Sequence, residues 1–108
     1  MQRGDLVICS LSGDFGKPRP AVIVQANPFN ETHLSTVVCP ITSCLIDAPL
    51  FRILIKPTLQ NGLLYKSQVM IDKISALKTE KIGSKIGELS VKEIQSLDDA
   101  LKFFLNLS

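Results

Sequence analysis

Several residue types that mark common protein classes are scarce in this chain. It has no tryptophan, one tyrosine and one histidine among 108 residues, and aromatic residues make up 6%. Charged residues make up only 20% and nearly balance, leaving a net charge of +2. Proteins that bind duplex nucleic acid without sequence preference carry a strong basic excess, so this class is excluded. A local basic cleft for a short nucleic acid remains compatible with the charge.

Long hydrophobic runs are also missing. No apolar run approaches the roughly 18 residues that cross a bilayer, and the start at Met1 leads straight into a strand pattern without a leader-like apolar segment. We therefore expect a cytoplasmic protein with no membrane contact. Hydrophobic residues nevertheless make up 45%, with a mean hydropathy of +0.25. This predicts apolar surface in a subunit interface, or alternatively a densely apolar core.

The three cysteines, Cys9, Cys39 and Cys44, are an odd number in strand-like settings. Reduced, buried thiols of a cytosolic protein are the expected state. Cys39 and Cys44 together with His33 are a conceivable metal site, but their spacing matches no common zinc pattern. We therefore expect neither a metal nor a cofactor.

The pattern of apolar residues predicts a mainly β domain closed by one helix, with residues 1–108 forming a single domain. Short strand patterns separated by glycine and proline turns favour a small barrel or a strongly bent sheet. The Asn61-Gly62 pair is typical of a turn. Strands are predicted at 5–11, 20–25, 34–41, 49–57 and 68–75.

The last segment changes from strand to helix periodicity. Ser90 and Glu93 have the spacing of a capping box. Apolar residues then recur at helical intervals from Val91 to Leu105. The sequence therefore predicts an amphipathic C-terminal helix.

Arg19 lies between two prolines at the start of an apolar run, 21–24. Pro18 fixes its own φ, and Pro20 disfavours helical backbone at Arg19. The run itself reads as a buried strand. Arg19 is thus a cation on a stiffened backbone at the edge of the core, a suitable position for holding a phosphate.

Four segments in this order resemble the MazF/PemK growth-inhibitor toxins over nearly the whole chain. Pro40-Ile41-Thr42-Ser43 is similar to a strand end of that family. The other segments that carry the resemblance are 3–7 with 17–24, 68–74 and 81–90.

The resemblance implies an SH3-like β-barrel of the CcdB/MazF type that forms a homodimer. It implies a toxin of a type II toxin–antitoxin system, an endoribonuclease that cuts single-stranded RNA at short sequences without a metal. The implied partner is a MazE/PemI-like antitoxin with an acidic tail, and DNA is reached only through that antitoxin. Two alternatives are a CcdB-like gyrase poison, which acts through a tryptophan-bearing C-terminal end, and a non-catalytic SH3-like interaction module.

The resemblance also implies catalytic residues. Arg19 matches the family arginine and would clamp the phosphate, while Thr42 matches a threonine whose hydroxyl would donate to it. Asp72 matches an acidic position that acts in acid–base chemistry in plasmid-type members, where an arginine stands two residues earlier. Here that position is Met70, so a structural carboxylate is the alternative.

Substrate-binding residues are predicted around the same motifs. In the family, the loop between the first two strands covers the RNA groove, so Phe15 would stack on a base and Lys17 would meet a phosphate. Ser43 would assist Thr42. His33 has a suitable pKa for a general base but lies in a loop away from these motifs.

Overall fold

The computed structural model describes residues 1–11 and 17–108. Within them the chain forms seven strands and one α-helix, which confirms the predicted mainly β fold with a C-terminal helix. The elements are β1 (Asp5–Ser10), β2 (Pro18–Ile23), β3 (Ser35–Thr42), β4 (Arg52–Ile55), β5 (Ser67–Met70), β6 (Ser75–Lys78), β7 (Ile82–Glu88) and α1 (Val91–Phe104).

β3 is the strand around which the sheet bends. The strand order is β4-β5-β3-β2-β1-β7, with all pairs antiparallel, and β6 pairs with β3 off this path. The first half of β3 pairs with β6, whereas its last two residues, Ile41 and Thr42, pair with β5. One edge of β3 therefore serves two strands in succession, and its other edge serves β2.

The central strands bury side chains on both faces. Leu6, Val22 and Cys39 belong to a cluster that includes Leu97 and Leu101 of α1. Their neighbours along the strands form a second cluster made of Val7, Cys9, Ala21, Ile23 and Val38. Burial on two faces explains why residues 21–24 are continuously apolar instead of alternating.

The predicted strand at 68–75 is wrong in extent. β5 ends at Met70, a 3₁₀ turn follows at Ile71–Lys73, and β6 begins at Ser75. Ile71 is fully buried, as Val69 is, so the alternation of apolar residues runs on through the turn and hides it. β7 is missing from the predicted strands. Its pairing with β1 contains two register shifts, which break the alternation of apolar and polar residues.

The predicted cap of α1 is confirmed. The Glu93 N–H donates to Ser90 Oγ at 3.1 Å, and the Ser90 N–H donates to Glu93 Oε1 at 2.8 Å. Leu97 and Leu101 of this helix are buried against the sheet. None of the helices in residues 1–11 and 17–108 has the length and apolar character that a membrane span requires.

Candidate active site

The β2–β3 ladder ends where the two prolines begin. Ala21 pairs with Pro40, Val22 with Cys39 and Ile23 with Val38. Pro18 and Pro20 precede these pairs, in a stretch where the described partner of β2 is β1 alone. A strand tolerates proline at such an edge, because the missing N–H has no ladder bond to make.

The register of this ladder, continued beyond its last pair, leads to Arg19 on β2 and Thr42 on β3. Each step back along β2 from the Ala21–Pro40 pair is one step forward along β3, so two further steps reach these residues. Directly opposed residues of antiparallel strands project to the same face. The end of the ladder therefore places Arg19 and Thr42 at the same edge of the sheet.

Two cavities meet at this edge, and Arg19, Ile41 and Thr42 line both of them. The main pocket has a volume of about 300 Å³. The adjoining pocket has a similar volume. The main pocket is further lined by Ile8, Pro20, Ser43, Gly62, Leu63, Leu64, Tyr65, Ser67 and Ile86, and the adjoining pocket by Leu11, Pro40, Cys44 and Met70.

The Thr42 hydroxyl is held in place by the backbone that follows it. Its oxygen accepts a hydrogen bond of 3.0 Å from the Cys44 N–H, the local capping that threonine often provides at a strand end. A hydroxyl that accepts in this way still has its own O–H to donate. Gln68, paired with Thr42 across β3 and β5, bonds to both the N–H and the carbonyl of Ile46 and so fixes the segment beyond Thr42.

The loop between β4 and β5 closes the main pocket. The buried Asn61 side chain accepts from the N–H groups of Thr58 and Leu63 and donates to the Lys56 carbonyl. Gly62 has a φ of +71°, and a Cβ there would overlap the carbonyl oxygen of Ile86 in β7. At the predicted Asn61-Gly62 turn, the close approach of Gly62 to Ile86 thus holds this loop against β7.

Asp72 has a partner that the sequence reading did not identify. Arg52 Nε lies 2.9 Å from Asp72 Oδ1, and Arg52 Nη2 lies 3.2 Å from Oδ2. Arg52 stands opposite Met70 in the β4–β5 pairing, so an arginine does meet the carboxylate, from the neighbouring strand. The hydrogen bond from Arg52 lowers the pKa of Asp72 below its ordinary value of 3.8.

The remaining predicted residues occupy different places. Ser43 is exposed and lines the main pocket, whereas Lys17 is exposed one residue before β2. Phe15 lies outside the described residues. Among the described residues, the linings of both cavities leave out Lys17 and Asp72. His33 packs its ring against Phe29 at 5.9 Å, away from both cavities. The catalytic and substrate-binding roles stay predictions.

The three thiols differ in their surroundings. Cys9 and Cys39 are buried as predicted, whereas Cys44 is exposed, so the prediction of buried thiols is wrong for Cys44. Burial raises the pKa of the Cys39 thiol to about 12, so this group stays protonated and acts as a small apolar residue of the core. In the described part of the chain, no three His, Cys, Asp or Glu side chains are grouped to hold a metal ion.

Sequence reasoning missed two elements of this region. Arg52, in the predicted strand at 49–57, was not among the predicted site residues, and only 9% of its side chain is exposed. The apolar wall of the main pocket, Leu63 to Tyr65, was also missed. Its one available signal was the only tyrosine of the chain, three residues after the Asn61-Gly62 turn.

Comparison with known proteins agrees with the fold and the resemblance. The chain is 38% identical over 109 residues to the "probable endoribonuclease MazF" of Mycolicibacterium smegmatis, which covers 100% of this chain and 99% of that protein.

Two solved structures share the fold. One is a mycobacterial endoribonuclease in complex with its cognate antitoxin, with a TM-score of 0.84, 22% identity, and coverage of 100% of this chain and 97% of that one. The other is MazE–MazF from Deinococcus radiodurans, with a TM-score of 0.81, 21% identity, and coverage of 100% and 97%. Residues 2–105 match the family described as "PemK-like, MazF-like toxin of type II toxin-antitoxin system". The chain therefore belongs to the PemK/MazF family of toxins.

Proposed function

We propose that this chain is the toxin of a type II toxin–antitoxin system and acts as an endoribonuclease on single-stranded RNA. The observation that carries the proposal is the shared position of Arg19 and Thr42, which line the same two cavities at the open end of the β2–β3 ladder. The homologue in Mycolicibacterium smegmatis, named a probable endoribonuclease, supports the same activity.

The arrangement suits a phosphodiester better than a free anion. A phosphate placed beside Arg19 and Thr42 has a cavity on each side, one for the nucleotide before it and one for the nucleotide after it. A guanidinium offers a planar fork of donors to phosphate oxygens, and the Thr42 hydroxyl adds another donor. A single strand of RNA can thus cross the site with one phosphate held between the pockets.

Cleavage follows from the nucleotide itself. The 2′-oxygen forms a bond to phosphorus as its proton leaves, and the bond from phosphorus to the 5′-oxygen breaks as that oxygen takes up a proton. The products are a 2′,3′-cyclic phosphate and a 5′-hydroxyl. Arg19 and Thr42 stabilise the negative charge that grows on the phosphoryl oxygens, so the reaction needs no metal ion. DNA lacks the 2′-hydroxyl and is not cut.

Asp72 enters the proposal through acid–base chemistry, as the family pattern suggests. Its carboxylate accepts two hydrogen bonds from Arg52, so it is ionised and cannot donate a proton at neutral pH. In this proposal Asp72 is a positioning residue or a proton acceptor, and it contributes less to the rate of cleavage than Arg19 and Thr42 do. Ser43 lies on the wall of the main pocket and assists substrate binding there.

The proposed partners are a second copy of this chain and a cognate antitoxin. Solved relatives include a complex of an endoribonuclease with its cognate antitoxin and a MazE–MazF complex. Exposed apolar side chains near the C-terminus, such as Phe103, Phe104 and Leu107, give this chain surface for such contacts. An acidic antitoxin tail would compete with RNA for Arg19.

A turnover assay tests the proposal. Substoichiometric protein is incubated with a labelled oligoribonucleotide in excess EDTA, and the fragment ends are analysed by mass spectrometry. We expect several cuts per protein molecule and 2′,3′-cyclic phosphate ends. A single 2′-deoxy substitution at the cleaved nucleotide is the matched control and should abolish the cut. Activity that requires added Mg²⁺ would contradict the mechanism.

The turnover assay and a gyrase supercoiling assay together separate the alternatives. Stoichiometric RNA binding without fragments would indicate an interaction module on this fold. Inhibition of gyrase supercoiling would indicate a CcdB-like toxin, which neither the family match nor the absence of tryptophan favours.

A further inference from the structure

The wall of the main pocket that faces Arg19 and Thr42 carries a different chemistry. Leu63, Leu64 and Tyr65 line it, together with residues of β1 and β7. Leu64 is 84% exposed and Tyr65 is 69% exposed. Single exposed apolar residues are common on protein surfaces, but these two are adjacent, line one cavity and include the only tyrosine of the chain.

The backbone beneath this apolar wall is held firmly. The buried Ser67 hydroxyl donates to the Tyr65 carbonyl at 2.7 Å, and the Glu88 N–H donates to the Gln60 carbonyl at 3.0 Å. The Asn61 hydrogen bonds and the close approach of Gly62 to Ile86 tie the loop to itself and to β7. Such a backbone fixes the point from which the Tyr65 side chain extends before a ligand arrives, which lowers the entropy lost on binding.

The pocket therefore combines a cation and a hydroxyl on one wall with an aromatic ring and two leucines on the other. A nucleotide has the matching pair of surfaces, because its phosphate is anionic and its base is flat and apolar on both faces. A volume of about 300 Å³ is at the small end of the range for ligand sites, which suits one nucleotide. An acidic peptide would match the charge of Arg19 but would leave the aromatic wall without a matching surface.

We propose that Leu63, Leu64 and Tyr65 form a nucleobase subsite, in which the Tyr65 ring stacks on the base of the nucleotide whose phosphate meets Arg19 and Thr42. The inference rests on the proposed function and extends it to the residue that positions the base. Stacking accepts any base, so the subsite contributes affinity and position, and sequence preference arises from the edges of the base.

Tyrosine emission tests stacking directly, since the chain has one tyrosine and no tryptophan. The full-length protein is titrated with a 2′-O-methyl oligonucleotide, which binds but lacks the nucleophile. We expect quenching of Tyr65 emission that saturates with binding. An oligonucleotide with an abasic site at the nucleotide in the pocket should bind without quenching. Free N-acetyltyrosinamide in the same titration corrects for absorption of light by the oligonucleotide.

Variants supply the second measurement. Tyr65→Ala should weaken oligonucleotide binding and raise KM for cleavage roughly 5- to 150-fold, with a smaller change in kcat. Tyr65→Phe keeps the ring and should stay within about twofold of the parent protein in KM. Leu59→Ala is the matched control, because Leu59 lies in the same loop, is fully exposed and is not part of the pocket lining.

The outcomes are distinct. Emission that stays unchanged while the oligonucleotide binds would overturn the subsite, even if the protein cleaves RNA normally. A Tyr65→Ala protein that binds RNA normally but changes its sedimentation as an oligomer would assign the loop to a protein interface and also overturn it. Quenching without any cleavage of RNA would uphold the subsite and refute the proposed endoribonuclease.

Discussion

Two arginines at strand edges of this molecule have opposite surroundings. Arg52 is 9% exposed and meets both oxygens of the Asp72 carboxylate. Arg19 is exposed at the end of the β2–β3 ladder, on the wall of two cavities that it shares with Thr42. A guanidinium that is buried against a carboxylate is out of reach of a ligand, whereas an exposed guanidinium on a cavity wall can contact a bound phosphate.

The comparison teaches that the residue type alone does not identify a catalytic cation. Both arginines come from strand segments, and the sequence places both beside apolar residues. Their difference arises from the partner strand. β5 continues beside Arg52 and brings Asp72 just beyond its end, while β3 ends at Thr42, which lines the same two cavities as Arg19. We therefore expect substitutions of Arg19 to affect cleavage and substitutions of Arg52 to affect stability.

The largest expected effect is on cleavage in the Arg19→Ala variant. Loss of a preorganised donor at developing negative charge lowers kcat by about two orders of magnitude or more. Urea unfolding of this variant should stay within about 1 kcal/mol of the parent protein, because interactions of an exposed side chain contribute little to stability. Cleavage of a labelled oligoribonucleotide measures the effect, and Lys92→Ala, an exposed cation on α1, is the control. Full activity of Arg19→Ala would remove the proposed role.

Thr42→Val comes second. Valine keeps the shape of threonine but removes the hydroxyl, so both the donor to phosphate and the acceptor for the Cys44 N–H are lost. We expect kcat to fall by roughly ten- to a hundredfold. Thr42→Ser restores the hydroxyl and should recover most of the rate. If Val and Ser variants cleave equally well, the hydroxyl has no part in the reaction.

The sequence was sufficient for the main features of the fold. The capping box at Ser90 and Glu93 and the apolar run at 21–24 were each read correctly, because each depends on local chemistry or on burial alone. The turn at 71–73 was missed because Ile71 is buried within it. A buried turn keeps the apolar alternation of a strand, and only the pairing of β6 with β3 reveals where the chain changes direction.

For the candidate site, the sequence named the residues but could not place them relative to one another. Arg19 and Thr42 line the same two cavities because β2 and β3 are paired, and a pairing between distant segments is not visible in either segment alone. The partner of Asp72 was missed for the same reason, since Arg52 is twenty residues away in the chain. The apolar wall around Tyr65 depends on the loop closing against β7.

The third prediction tests the structural arginine. Arg52→Ala leaves the half-buried Asp72 carboxylate without its two hydrogen bonds, which should lower the free energy of unfolding by about 1–3 kcal/mol. Urea unfolding measures the change. Combining Arg52→Met with Asp72→Leu removes both charges and should recover part of the loss. At a temperature where Arg52→Ala is folded, it should cleave RNA far better than Arg19→Ala does. The opposite order would reverse the roles assigned to the two arginines.

The smallest effect concerns acid. Arg52 lowers the pKa of Asp72 below 3.8 in the folded protein. The Asp72 carboxylate therefore stabilises the fold at every pH above the pKa that Asp72 has in the unfolded chain. That contribution is lost as the pH falls through the lowered pKa, since the folded state must then give up the ion pair to bind a proton. Asp72→Asn lacks the titrating group. Its urea midpoint should be lower than that of the parent protein near neutral pH and should fall less steeply below about pH 4. Parallel pH profiles for the two proteins would show that the ion pair contributes nothing to acid sensitivity.

A loss of cleavage in Asp72→Asn as large as that in Arg19→Ala, with the fold intact, would instead place Asp72 among the catalytic residues and erase the contrast between the two arginines.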